Sequence, residues 1–73
     1  MATVPTSRTI FHVATHEGKW VVTRERRPAG EFDAFETKHE AVERARGEAL
    51  QQRPSEVKVH RADGTIESEF DFS

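Results

Sequence analysis

The sequence predicts an α+β domain in which two β-hairpins flank one amphipathic helix, in the order β-β-(β)-α-β-β, with the helix packed on one face of a mainly antiparallel sheet. Three observations lead there. Thr37 and Glu40 form a Thr-x-x-Glu capping box ahead of a spaced run of small apolar residues, which marks a helix start. The segments on either side of Glu17-Gly18 alternate in polarity, as two strands joined by a tight turn do. Asp63-Gly64 lies between two more alternating segments, and Asp-Gly is a strong hairpin signal.

Residues 1–7 contain Pro5 and two threonines without periodicity, and read as a flexible N-terminal tail ahead of a single domain at 8–73. From Arg8 to Thr15, Phe11, Val13 and Thr15 share one face and Ile10, His12 and Ala14 the other. From Lys19 to Glu25, Trp20 and Val22 lie opposite Val21 and Thr23. A two-residue turn at Glu17-Gly18 then sets Val13 against Val22 and Thr15 against Trp20. Pro28 and Gly30 break the pattern between Arg26 and Gly30. Glu31 to Phe35 is a short candidate third strand, with Phe32 and Phe35 out of period-two register.

The helix is expected from Lys38 to Gln52. Ala41, Val42, Ala45 and Ala49 fall within an arc of about 100° on a helical wheel. A stripe so rich in alanine brings the helix close to the sheet, so bulk must come from Phe11, Trp20, Phe35 and Phe70. Glu40 and Arg44 are spaced as an i,i+4 ion pair on the wet side, and Gly47 projects there too. Pro54 prevents continuation. In the last hairpin, a type I′ turn at Asp63-Gly64 sets Val57 opposite Phe70 and Val59 opposite Ser68 on the buried side. The same register sets Lys58 opposite Glu69 and His60 opposite Glu67, two favourable cross-strand pairs. The large core candidates are Phe11, Val13, Trp20, Val22, Phe35, Val42, Val57, Val59, Ile66 and Phe70.

Several classes of function are bounded by composition. The chain has 73 residues and no cysteine, so neither a disulfide nor a thiolate metal site is available. A net charge of −2 with both signs interspersed gives no global attraction to nucleic acid. No segment is apolar for long enough to span a bilayer, and residues 1–7 lack the pattern of a signal peptide. A cytoplasmic setting is the expectation. The core is small, and a second subunit would widen its margin of stability.

The ordered motifs resemble a known group. They are Phe11-His12-Val13, Gly18-Lys19-Trp20-Val21-Val22, Phe35 to Val42, and Val59 to Ile66. Their order is similar to that of the bacterial domain-of-unknown-function 2188 family, a small domain with a Gly-x-Trp-x-Val strand, a Thr-Lys-x-Glu-Ala helix start and a His-x-x-Asp-Gly-x-Ile hairpin. The resemblance runs from about Phe11 to Phe70. It departs in lacking a proline near Ala14 and in carrying Pro28-Ala29-Gly30. It implies a fold and no reaction.

Candidate chemistry is sparse. His12, His16, His39 and His60 are the residues suited to metal or acid–base work. None has metal-ligand spacing, so no metal and no cofactor is expected; His60 is expected to pair with Glu67. His12 and His60 share the outer sheet face and could approach one another if their strands were neighbours. Glu67, Glu69 and Asp71 alternate along one strand, as a solvated ladder of ion pairs would. Trp20 shares a face with Val22 and reads as core rather than as a stacking platform. There is no nucleophile triad, phosphate loop or dinucleotide motif, and the chain is not expected to be an enzyme. Two surfaces remain. Ile10, Ala14, Val21, Phe32 and Phe72 form a candidate protein interface of a non-catalytic interaction module, expected to self-associate as a homodimer through the open sheet face or an edge strand, or to bind another protein. Arg24, Arg26, Arg27, Lys58 and Arg61 are the candidate contacts for the alternative function, nucleic-acid binding.

Overall fold

The computed structural model describes residues 8–25 and 32–72, so the expected tail at 1–7 and the break at 26–30 lie outside the described residues. Five strands form one sheet: β1 (Thr9–His16), β2 (Lys19–Arg24), β3 (Asp33–Phe35), β4 (Ser55–His60) and β5 (Ile66–Phe72). One helix, α1 (Lys38–Gln51), lies between β3 and β4 in the chain. The sheet order is β3-β2-β1-β4-β5. Both hairpins are antiparallel, as is β2 with β3, and a parallel seam between β1 and β4 joins the two halves.

The first hairpin follows its expected register, with Val13 opposite Val22 and Thr15 opposite Trp20. Glu17 and Gly18 both have positive φ, 51° and 81°, which makes this the type I′ turn. The second hairpin corrects its expected turn. Gly64 has φ 94° but Asp63 is not left-handed, and Gly64 N–H donates to the Arg61 carbonyl at 2.9 Å. The tight turn therefore centres on Ala62-Asp63, with Gly64 taking the left-handed position after it. Asp63 Oδ1 accepts from Thr65 N–H at 3.0 Å and from Thr65 Oγ1 at 2.7 Å. The shift puts Ile66, not Glu67, opposite His60. A bulge between Val59 and His60 absorbs the extra residue, so Val59 meets Ser68, Val57 meets Phe70 and Lys58 meets Glu69 as the two-residue turn predicts. Ile66 consequently leaves the core list and is exposed.

Helix α1 begins as expected. Thr37 Oγ1 accepts from Glu40 N–H at 3.2 Å and donates to the Glu40 carboxylate at 3.1 Å. Glu40 is thereby engaged at the cap; Arg44 instead lies 3.7 Å from Glu48, which corrects the expected Glu40–Arg44 pair. Ala41, Ala45 and Ala49 are buried against Phe11, Val13, Val22, Val57 and Val59, with Trp20, Phe35, Val42, Phe70 and Phe72 packed around them. At the other end of α1, the Ala49 carbonyl accepts from the Gln52 N–H at 3.1 Å and, as a second bond, from the buried Ser55 hydroxyl at 2.6 Å.

Gly47 lies within α1, and a Cβ added there meets nothing within 4 Å. Gly47→Ala should therefore stabilise the domain by about 0.5–1 kcal/mol through backbone entropy alone. Thermal melting should show this as a rise of a few degrees, while a fall would mean that the helix surface is engaged at this position.

Candidate functional site

The helix covers one face of the sheet and leaves the other uncovered by any described element. Register assigns the outer face: Ala14 pairs with Val21 and Val21 with Ala34, a single apolar row across β1, β2 and β3. Val21 is only 5% exposed. Beside it a hollow of about 160 Å³ is lined by His16, Glu17, Lys19, Val21, Phe32 and Ala34. Phe32 is 39% exposed and meets His16 edge-on, with ring centroids 5.5 Å apart. Ile10 and Ala14 are half-buried. Phe72 departs from this group: it pairs with Ser55 on the helix side and packs against the core. Phe72 is two residues beyond the inward-facing Phe70, so alternation along β5 puts it on the helix side as well.

The centre of the outer face is polar. His12 Nδ1 lies 2.9 Å from His60 Nε2, so the two rings do meet, because β1 and β4 are neighbours. His12 Nε2 lies 2.8 Å from Glu25 Oε2, and His60 Nδ1 lies 3.2 Å from the Gly64 carbonyl. The expected His60–Glu67 pair is replaced, since the bulge sends Glu67 to Lys38 at the start of α1. Glu25 escaped sequence reasoning. The two-residue turn at Glu17-Gly18 already implies that Glu25 is the diagonal neighbour of His12, and that signal could have found it. Among the described residues, no group of three or more His, Asp or Glu side chains is placed to hold a metal ion.

The acidic residues are tied to individual cations. Asp71 pairs with Arg8, Glu36 with Lys19, and Glu69 lies 3.9 Å from Lys58. The hydrogen bond from Lys19 lowers the Glu36 pKa, and that from Lys38 lowers the Glu67 pKa. The backbone and hydroxyl of Thr65 lower that of Asp63. These are exposed pairs, and such pairs contribute little to stability.

The basic residues are dispersed. Arg24 ends β2 and donates to Gln52 at 3.1 Å, beside the C-terminus of α1. Arg61 lies at the opposite end of the sheet, donating to the Ile66 carbonyl at 3.2 Å and to Thr65 Oγ1 at 3.3 Å. Lys58 is on the outer face between them. Arg26 and Arg27 lie outside the described residues.

A model of a family described as uncharacterized proteins conserved in bacteria, DUF2188, matches residues 11–72. The chain belongs to the DUF2188 family. No curated protein and no solved structure matches it. In this DUF2188 domain the motif residues have structural work. Gly18 closes the type I′ turn, and Trp20 and Val22 face the helix. Thr37 caps α1, and Asp63 and Gly64 shape the bulged hairpin. His12 and His60 carry their ring nitrogens into the polar centre of the outer face. No helix among the described residues is long and apolar enough to cross a membrane.

Proposed function

We propose that this DUF2188 domain is a non-catalytic interaction module that self-associates through the face of its sheet opposite α1. The observation that carries this reading is the row Ala14–Val21–Ala34 with Phe32 at its end. The row is uncharged and built of small side chains, so a second sheet could approach to about 10 Å, the spacing of packed sheets. Two copies related by a two-fold axis would lay row on row, since an isologous contact needs only a self-complementary patch. Pairing through an edge strand is less favoured. β3 has three residues, and β5 is bulged and carries Glu67, Glu69 and Asp71, devices that discourage edge pairing.

Five strands about 4.8 Å apart and about 20 Å long present a face of roughly 400–500 Å². That is below the roughly 800 Å² per partner of a standard interface, so the dimer should be weak and transient. Sedimentation equilibrium from about 10 µM to 1 mM should show a reversible monomer–dimer equilibrium. Ala14→Arg and Phe32→Asp, both outside the core, should each hold the chain monomeric. A wild-type chain that stays monomeric throughout that range would sink the proposal.

A further inference from the structure

The polar centre of the outer face contains a chain of hydrogen bonds that two neutral histidines cannot complete. It runs from Glu25 Oε2 to His12 Nε2 at 2.8 Å, from His12 Nδ1 to His60 Nε2 at 2.9 Å, and from His60 Nδ1 to the Gly64 carbonyl at 3.2 Å. A neutral imidazole has one N–H and one bare nitrogen. The carbonyl only accepts, so His60 Nδ1 carries a hydrogen. An ionised carboxylate only accepts, so His12 Nε2 carries one too. If both rings were neutral, two bare nitrogens would face each other at 2.9 Å, lone pair against lone pair. A positive species belongs between them.

The ring geometry decides which species. The ring centroids are 5.1 Å apart and the nitrogens 2.9 Å, leaving about one ring radius at each end, so the nitrogens lie nearly on the line between centroids. A metal ion on that line would need the nitrogens about 4 Å apart, with metal–nitrogen bonds of about 2.0–2.1 Å. A hydrogen bond needs about 2.9 Å. We infer that His12 and His60 share one extra proton as an imidazole–imidazolium pair, charge-balanced by Glu25 and oriented by the Gly64 carbonyl, which makes the centre of this face a pH-responsive site. The proton is taken from solvent, and no bond between heavy atoms changes.

Among the described residues, the surroundings leave Glu25 as the anion that acts on the pair. Lys58 of β4 is beside His12 in register, and its charge is met by Glu69 of β5. Glu56 of β4 lies opposite Asp71 of β5, which pairs with Arg8. His16 and Lys19 sit at the hairpin end of β1 and β2, where Lys19 pairs with Glu36 and His16 lies 3.8 Å from Glu17. Ile66 faces His60 from β5; Arg61 and Asp63 bond within their own turn. Helix α1 packs on the other face of the sheet. A second proton would set two N–H groups head to head, and loss of the shared proton would set two lone pairs head to head. Both changes break the contact, so the two rings stay joined only while they share a single proton.

Glu25→Gln is the decisive variant. An amide N–H would donate to His12 Nε2, His12 Nδ1–H to His60 Nε2, and His60 Nδ1–H to the carbonyl, completing the chain with no extra proton. Nitrogen-15 NMR of the imidazoles, across a pH titration of dilute monomer, reads this independently of self-association. In the wild type it should show a scalar coupling between His12 Nδ1 and His60 Nε2 and two-step titration. In Glu25→Gln both rings should be neutral where the wild-type pair still holds its proton. In His60→Gln the coupling should vanish and His12 should titrate in a single step. Independent single-step titration of both wild-type rings, or a Glu25→Gln profile identical to wild type, would overturn the inference.

Discussion

Phe11→Ala should cost about 3–5 kcal/mol, the range for truncating a fully buried phenylalanine. A chain of 73 residues has a total stability of roughly 4–11 kcal/mol, so this one change removes much of it. The size of the effect follows from the composition of the core. The helix contributes only alanines to the fully buried set, and the sheet supplies valines, so Phe11 is the largest side chain completely withdrawn from solvent. It also sits on β1, the central strand, between Arg24 of β2 and Val57 of β4. Urea denaturation with a chain-length-appropriate slope would measure the loss. A loss below about 1 kcal/mol would show that the core is not centred on this ring.

Ala45→Leu should destabilise by about 1–3 kcal/mol, although it adds apolar surface and preserves helix propensity. Ala45 is fully buried, midway along the stripe that seats α1 on the sheet. Three extra carbons there must lift the helix or displace the valines below it, because packed interiors hold few voids. Leu50→Ala provides the control: Leu50 is 52% exposed, so its truncation should change stability by no more than about 0.5 kcal/mol. The contrast inverts the usual rule that larger apolar residues stabilise. Melting temperatures of the two variants would settle it, since each kcal/mol corresponds to about 4–8 °C in a domain of this size.

Local features were legible in the chain because their causes are local. Thr37 and Glu40 are three residues apart and cap the same turn; Glu17-Gly18 fixes a register through its own geometry. The far part of the second hairpin was legible for a subtler reason. A different turn and a bulge displaced the register in opposite directions, so Val57 still meets Phe70. Close to the turn the compensation has not yet occurred, and Ile66 and Glu67 exchange their expected places. What alternation does not encode is strand order. Nothing in the period of β1 or β4 says that they are neighbours, so the contact of His12 with His60 was conditional on that adjacency. Ser55 was invisible for the same reason: its partner, the Ala49 carbonyl, becomes available only when α1 ends beside β4.

The parallel seam between β1 and β4 has a consequence for synthesis. Its partners are 46 positions apart, as Thr9 with Ser55, whereas both hairpins close over short loops. A nascent chain can fold β1 and β2 early, but β1 keeps a bare edge until β4 has left the ribosome. During that interval Phe11 and Val13 belong to a strand with one side unpaired, the state most open to pairing with a neighbouring polypeptide. The last quarter of the chain, from Ser55 onward, is therefore what converts an adhesive hairpin into a closed domain.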